Sequence, residues 1–419
     1  MDATTTTTAP TAPDQVRRGA SRGNAMLIAV LGALTATGSL GIDMYVPSFP
    51  ELGRSLHASS TAVQLSMTAF LAGIVVGQPL IGPLSDALGR RRLLIPGTVL
   101  FALLSLVCAF VPGAPELIAT RFLQGIAGAA GMVLARAVIT DRFEGADLPR
   151  YFSLLSVILA VAPVAAPVLG GAMLSLSGWR AIFVLLTVIA GLLATAVVVW
   201  VPESLPPEQR NRNGTAGTFR AMGRLLRRRE FTGIALTLGF TCGGALFSYI
   251  SGSSFVFEDV YGTSATQYSL IFATNAIGML VAGGLFGWLS RRFRVASLMC
   301  VGVAVIALSV VAQTVVTVIM GGSLIGTWAC LFVTLFGIGI TMPATMSLGQ
   351  ELGREESGAA SGALGSAQFL LGAIASPLVG AFGTGSALPM AAVMLVAAAC
   401  GVATLFVARP WRPVRAELR

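Results

Sequence analysis

The sequence carries little charge for its length. Charged residues make up 11% of its 419 positions and hydrophobic residues 55%, whereas a soluble globular domain carries about 25% charge. A soluble domain of this size could not bury so much apolar surface, but a lipid bilayer accepts it. The composition therefore excludes an ordinary soluble protein and predicts a membrane protein.

Residues that build catalytic and metal sites are also scarce. Lysine is absent, so all 27 basic residues are arginine, and His57 is the one histidine. The five cysteines lie inside apolar runs, at no spacing typical of disulfides or metal sites. The sequence contains no nucleophile triad, pair of catalytic carboxylates or phosphate-binding loop. We therefore predict no enzyme activity, no metal and no cofactor.

Long apolar runs fill most of the chain. A membrane-spanning helix needs about 20 mostly apolar residues. Twelve such runs occur, near 25–47, 60–82, 93–111, 116–140, 150–174, 180–201, 231–257, 265–289, 294–315, 321–349, 357–382 and 386–408. They lack the alternation of an outer-membrane strand and are too long for one. The sequence predicts an all-α membrane protein with twelve transmembrane helices.

The arginines are distributed asymmetrically. They cluster before the first span, in the gaps after the even-numbered spans and after the last one, while the other loops hold only Arg54 and Arg180. This bias is typical of cytoplasmic loops, so we expect both termini in the cytoplasm of a bacterium and the spans in its inner membrane. The placement of the charges also argues against nucleic-acid binding, despite a net charge of +9.

The longest gap between apolar runs divides six spans from six. This gap, 202–230, is rich in arginine and contains three prolines. Part of the segment that begins at Gly82 recurs at Gly287, the matching place in the second half, as duplicated transporter folds predict. We expect two pseudo-symmetric six-helix bundles and flanking segments with these bounds: a disordered cytoplasmic tail 1–24, a bundle 25–201, a cytoplasmic linker 202–230, a bundle 231–408 and a cytoplasmic tail 409–419.

The loop between the second and third spans carries the most specific motif. It reads Gly82-Pro-Leu-Ser-Asp86-Ala-Leu-Gly89-Arg90-Arg-Arg and resembles the signature loop of the major facilitator superfamily, G-x-L-a-D-r-x-G-r-k. Ala87 departs at a position that is often basic. The resemblance implies a transporter in which this motif latches the two halves on the cytoplasmic face while the cavity opens outward.

Two charged residues inside predicted spans are the main candidates for a mechanism. Asp43 is the only acid well inside any of them, and Arg121 lies a few residues inside the fourth. A charge there needs a partner or a water-filled cavity and is functional by default. Since the two lie at similar depth, we predict that they form a proton-coupling pair; a structural ion pair and a snorkelling Arg121 are the alternatives. The segment around Arg121 and Gln124 also resembles a family motif associated with proton coupling.

The fifth span contains two prolines and a glycine pair. Its residues Pro163, Pro167, Gly170 and Gly171 resemble the antiporter motif G-x-x-x-G-P-x-x-G-G, although alanine stands where its first two glycines are usual. A merely kinked helix is the alternative. The segment that begins at Ile42 and the triplet Gly178-Trp-Arg resemble the Bcr/CflA subgroup, whose members export bicyclomycin and chloramphenicol.

Polar, aromatic and methionine side chains inside spans are candidates for the wall of a substrate cavity. Each alone is explained at least as well by packing: Tyr45, Gln64, Met67, Gln124, Tyr249, Asn275, Met342 and Gln368. The resemblance implies a proton-coupled exporter of antibiotic-like small molecules that works by alternating access, as a monomer in the bilayer. The alternative is a proton-coupled exporter of a metabolite such as a sugar or an amino-acid derivative.

Overall fold

The computed structural model describes residues 12–143, 147–210, 215–319, 321–354, 357–383 and 385–408, and no strand occurs among them. The α-helices are α1 (Ala12–Asp43), α2 (Phe49–Ser55), α3 (Ser60–Leu88), α4 (Arg90–Phe110), α5 (Ala114–Arg142), α6 (Asp147–Ser177), α7 (Trp179–Trp200), α8 (Thr215–Arg227), α9 (Arg229–Leu238), α10 (Leu246–Ser254), α11 (Ala265–Leu289), α12 (Val295–Ile319), α13 (Leu324–Leu352), α14 (Ser357–Ala381) and α15 (Leu388–Ala408).

The predicted all-α membrane fold is confirmed. Among the described residues, 11 helical segments are long and apolar enough to cross a membrane. The remaining predicted span, 150–174, lies within the 31 residues of α6, of which Val161–Ser177 is a shorter apolar stretch. Whereas the sequence predicted a disordered tail through residue 24, α1 begins at Ala12.

Two of the spans are interrupted helices. In the first, α1 ends at Asp43, and one 3-10 turn, Val46–Ser48, precedes α2. Pro47 lacks the amide that would continue the helical ladder. In the seventh, α9 and α10 are joined by the π-helical stretch Gly239–Ala245, and a second one, Phe255–Val260, follows. Irregular backbone at membrane depth is tolerated only where protein or a cavity surrounds it.

Glycines bring the helices of each half into backbone contact. A Cβ at Gly73 would collide with the carbonyl of Phe122, and one at Gly125 with the carbonyl of Phe70, so α3 and α5 touch backbone to backbone. In the second half, Gly339 of α13 lies against the Met279 carbonyl of α11. Close packing of this kind holds helices together in lipid, where the hydrophobic effect between them is absent.

The two halves meet along two seams, α3 with α14 and α6 with α11. We call the end of the bundle that carries residues 89, 215–229 and 290–294 the arginine-rich end, and the other the opposite end. The opposite end is closed between the halves: Gln64 Nε2 donates to the Ser251 carbonyl at 3.1 Å, and Arg54 pairs with Asp259 at 3.5 Å. At the arginine-rich end, α8 packs on both α3 and α14.

Candidate functional site around the break in the first span

Asp43 lies at the break in the first span, facing the second half. It is the last residue of α1 and its side chain is only 5% exposed. Across the junction, the hydroxyls of Tyr249 and Tyr268 lie within electrostatic range of its carboxylate. Among the described residues it has no hydrogen bond or ion pair. A buried carboxylate without a counterion is costly while charged, so its protonation is coupled to what surrounds it.

Arg121 binds the backbone of the same break. Its Nη2 donates to the Gly41 carbonyl at 2.8 Å, and its guanidinium lies over the Phe70 ring, 4.1 Å from the centroid. The Gly41 carbonyl is free to accept because the Tyr45 amide bonds to the Ile42 carbonyl instead. The break thus creates an acceptor inside the membrane, and Arg121, which is fully buried, satisfies it.

The direct ion pair of Asp43 with Arg121, the structural alternative for these two charges, does not form among the described residues, and their proton-coupling role stays a prediction. Arg121 Nη1 instead donates to Gln124 Oε1 at 2.7 Å. Depth along the two helices was read correctly from the sequence, but the direction of each side chain depends on the break. The two charges are therefore connected through the backbone at Gly41.

Three predicted cavity residues lie inside the first half instead. Gln124 Nε2 donates to Ser105 Oγ at 2.7 Å, which extends the polar network of Arg121 into α4. The Tyr45 hydroxyl bonds Ser66 Oγ at 2.7 Å. Met67 is fully buried among apolar neighbours. These side chains hold the first half together around Arg121.

The remaining cavity candidates lie at or near the junction. Asn275 Nδ2 donates to the Tyr249 hydroxyl at 3.1 Å, and this tyrosine stacks on Phe272 with ring centroids 5.2 Å apart. Gln368 Nε2 donates to the Cys242 carbonyl at 3.3 Å, within the π-helical stretch of the seventh span.

Gln64 connects the two halves through its hydrogen bond to the Ser251 carbonyl, and Met342 is half-buried on α13. Of the eight candidates, Tyr249 and Asn275 are therefore the pair that lies opposite Asp43. The Asn275 Oδ1 atom is buried without a hydrogen-bond partner among the described residues, so this pair retains an unused acceptor.

The glycines of the predicted antiporter motif touch both sides of the junction. A Cβ on Gly170 would collide with the Met44 carbonyl, which is part of the break, and one on Gly171 would collide with Ser269 of α11. Pro163 and Pro167 lie inside α6, where each removes one backbone hydrogen bond. The two glycines therefore allow α6 to pack between the break after Asp43 and α11 of the second half. The sequence had not indicated this position.

The predicted latch residues are bonded within the first half. Arg90 pairs with Asp86 of α3, and its Nε lies 3.0 Å from Asp141 Oδ2 of α5. Gly89 has a φ of 106°, which suits glycine, and Glu203 Oε1 caps α4 by accepting from the Arg90 amide at 2.8 Å. Gly82 lies within α3, facing Val133. The hydrogen bonds and ion pairs of these described residues do not reach the second half.

A charged cavity at the opposite end was missed in the sequence. Its volume is about 340 Å³, and residues of both halves line it, among them Glu51, Arg54, Glu258 and Asp259. Glu258 Oε1 is buried there without a hydrogen-bond partner among the described residues. The signal in the sequence was the presence of four charged residues near span ends, in a chain that carries little charge. Nothing local in the sequence showed that the helical segments 51–54 and 258–259 meet.

Comparison with known families decides the identity of the fold. The sequence model of the Major Facilitator Superfamily matches residues 31–377. The chain belongs to this superfamily. The chain is also similar to two solved structures at low sequence identity. A bacterial homologue of the lysosomal transporter Spinster, in an inward-facing and unoccupied conformation, is 16% identical with a TM-score of 0.69, and the match covers 92% of this chain and 95% of that one. A D-xylose–proton symporter is 18% identical with a TM-score of 0.67, and the match covers 91% of this chain and 96% of that one. These likenesses show the fold.

Sequence relatives confirm the resemblance to the drug-exporting subgroup. The chain is 42% identical over 380 residues to the MFS-type transporter YdgK of Bacillus subtilis, covering 90% of this chain and 94% of the relative. It is 30% identical to a bicyclomycin resistance protein homolog of Haemophilus influenzae, covering 87% and 91%. It is 28% identical to a chloramphenicol resistance protein of Pseudomonas aeruginosa, covering 77% and 75%. This superfamily member is thus a transporter with multidrug-efflux relatives.

Proposed function

We propose that the chain is a proton-coupled exporter of antibiotic-like small molecules, working by alternating access as a monomer in the bacterial inner membrane, with both termini in the cytoplasm. The observation that carries the proposal is the unpaired, buried carboxylate of Asp43 at the junction of the two halves. The relatives named for bicyclomycin and chloramphenicol resistance support the class of substrate.

The coupling cycle follows from the environment of Asp43. With the opposite end closed, Asp43 is buried and without a counterion, so protonation removes the cost of burying its charge. The proton therefore favours the state that is open to the cytoplasm. There the carboxyl loses its proton and substrate binds, which returns the site to the outward-open state. Each proton that moves inward across about 100 mV supplies roughly 2.3 kcal/mol.

Arg121 acts as a positioning residue in this scheme. By holding the Gly41 carbonyl, it fixes the broken end of α1 and with it the location of Asp43. Coupling requires that proton and substrate stabilise the two states differently, and a single carboxylate that both compete for meets this requirement.

The contacts between and within the halves support the alternation. The opposite end is closed by Gln64 on Ser251 and Arg54 on Asp259, while Asp86 and Arg90 are paired within the first half. In the proposed cycle, the latch engages the second half when the opposite-end contacts release.

The test is the substitution Asp43→Asn. In inverted membrane vesicles energised by a pH gradient, we expect chloramphenicol uptake by the wild type and none by this variant, with unchanged protein yield and melting temperature. The matched control is Glu116→Gln, which neutralises an exposed acid near the same end of the bundle, and it should transport normally. Accumulation by Asp43→Asn against a gradient would refute the coupling role.

A metabolite exporter of the same fold is the second candidate. It is favoured by one observation: the relative with 42% identity is named only as a transporter, whereas the resistance proteins are 28–30% identical. Expression in a host that lacks its own drug pumps separates the two functions, because only a drug exporter restores growth in chloramphenicol or bicyclomycin.

A further inference from the structure

The linker between the two halves contains a basic helix that the transport mechanism does not use. Residues 210–229 hold seven arginines and no acid, and α8, Thr215–Arg227, lies within this stretch. Arg228 has extended backbone angles, φ −77° and ψ 112°, which separate α8 from α9. The chain therefore changes direction at Arg228, and α8 is a separate helix from the span that follows it.

The surface of α8 consists of three stripes. Ala221 and Leu225, four residues apart, are buried at 8% and 2% exposure against the bundle. Phe219 and Leu226, seven residues apart, share a second face and are 45% and 47% exposed. A third face carries arginines at spacings of four and three residues: Arg220, Arg224 and Arg227. Of these three faces the first is the buried one, and the exposed apolar stripe lies beside a row of solvent-exposed arginines.

The position of α8 places these stripes at the level where the spans end. The helix contacts α3 of the first half, α14 of the second and the start of α9. Arg228 Nη1, at its end, donates to the carbonyl of Leu352 at 3.3 Å, where α13 ends. A helix at this level borders the headgroup region of the bilayer, since the spans on which it packs cross the hydrocarbon core.

We propose that α8 is a docking surface for anionic phospholipids, with Phe219 and Leu226 in the acyl boundary and the arginine face on the headgroup phosphates. A helix with an apolar face and a strongly basic face lies in the plane of a membrane interface and prefers anionic lipid. The arginine fork also matches phosphate geometry. Because α8 touches both halves, the bound lipid lies at the seam along which they move.

The experiment measures the depth of α8 in bilayers of defined charge. A nitroxide is placed at Phe219→Cys in the full chain, with the five native cysteines replaced by alanine and transport verified. The protein is reconstituted into nanodiscs of phosphatidylcholine alone or mixed with phosphatidylglycerol. We expect the collision rate with a water-soluble nickel reagent to be about threefold lower in the mixed bilayer, and the collision rate with oxygen to rise.

Charge variants identify the contacts. Arg220→Gln, Arg224→Gln and Arg227→Gln together should abolish the effect of phosphatidylglycerol, while the three lysine substitutions should retain most of it. The matched control neutralises another exposed basic loop at the same end, Arg291, Arg292 and Arg294, and should leave the label at 219 unchanged.

Two results would overturn the proposal. A label that stays in water in both bilayers would show that lipid does not cover this face and that another partner, such as an acidic protein, is needed. A label that is equally deep in both bilayers would show apolar insertion without headgroup recognition. Either result leaves the Asp43 coupling scheme intact, because the depth of the label at position 219 does not report on proton coupling.

Discussion

Arg121 Nη2 lies 2.8 Å from the carbonyl oxygen of Gly41, two residues before Asp43 in the chain. The contact ties the buried cation of the fourth span to the broken end of the first span. The two intramembrane charges are therefore linked through one segment of backbone and not by an ion pair. A change at Arg121 should accordingly alter the position of Asp43, and not only the local potential.

The first prediction concerns the geometry of Arg121. In Arg121→Lys the charge is kept, but one ammonium cannot reach both the Gly41 carbonyl and Gln124 Oε1 as the planar fork does. We expect proton-driven export to fall at least about tenfold and stability to drop by about 1–3 kcal/mol, because a buried acceptor loses its partner. Transport assays and melting temperatures in detergent measure the two effects.

The control for this substitution is Arg180→Lys. Arg180 is exposed and lies over the Trp179 ring, 4.3 Å from its centroid, at the same end of the bundle. It should tolerate lysine. Wild-type export by Arg121→Lys would show that charge alone suffices and that the bond to Gly41 is dispensable.

The second prediction concerns the antiporter motif. Gly170→Ala places a methyl group on the Met44 carbonyl, and because backbone cannot yield as a side chain does, the break must shift. We expect destabilisation of about 1–3 kcal/mol and loss of coupled transport. Gly191→Ala is the matched control, since a Cβ at Gly191 of α7 meets nothing within 4 Å. If both variants transport equally well, the close contact between Gly170 and the Met44 carbonyl is not required for transport.

Much of the architecture was predictable because it depends on local sequence. Run lengths predicted the spans, and the motif around Asp86 indicated the superfamily, which the family comparison confirms. The side-chain partners were not predictable in the same way. Asp43 and Arg121 were expected to form a pair, yet the turn at Met44 and Tyr45 leaves the Gly41 carbonyl, and not the carboxylate, to accept from the guanidinium.

Contacts between distant parts of the chain were also beyond the sequence. Arg54 was classed only as an exception to the arginine bias, because its partner Asp259 lies in the other half. The helix α8 was missed for a different reason: its arginines and glycines were read as a linker, although Ala221 and Leu225 recur at helical spacing. The helix has so few apolar residues that its periodicity was not recognised among twelve long apolar runs.

The third prediction concerns the gate at the opposite end. Arg54 and Asp259 are 70% and 43% exposed, so their pairing contributes only about 0.2–1 kcal/mol, enough to shift a balanced equilibrium a few-fold. Arg54→Ala should raise the population open at this end, read as a longer distance between nitroxides at Ser55→Cys and Ser264→Cys. The exchange Arg54→Asp with Asp259→Arg should restore the wild-type distribution. An unchanged distribution in Arg54→Ala would remove this pair from the gate.

The fourth prediction tests whether proton and substrate compete for one carboxylate. If substrate replaces a proton on Asp43, adding it to purified protein in weak buffer must acidify the solution, and substrate affinity must fall as the pH is lowered. In Asp43→Asn the side chain cannot ionise, so substrate binding should neither release protons nor depend on pH. A pH-indicator dye measures the proton release, and binding titrations with chloramphenicol at several pH values measure the affinity.

Equal proton release by the wild type and the variant would place the coupling site on another residue. The next candidate would be Glu258, which has a buried oxygen at the opposite-end cavity.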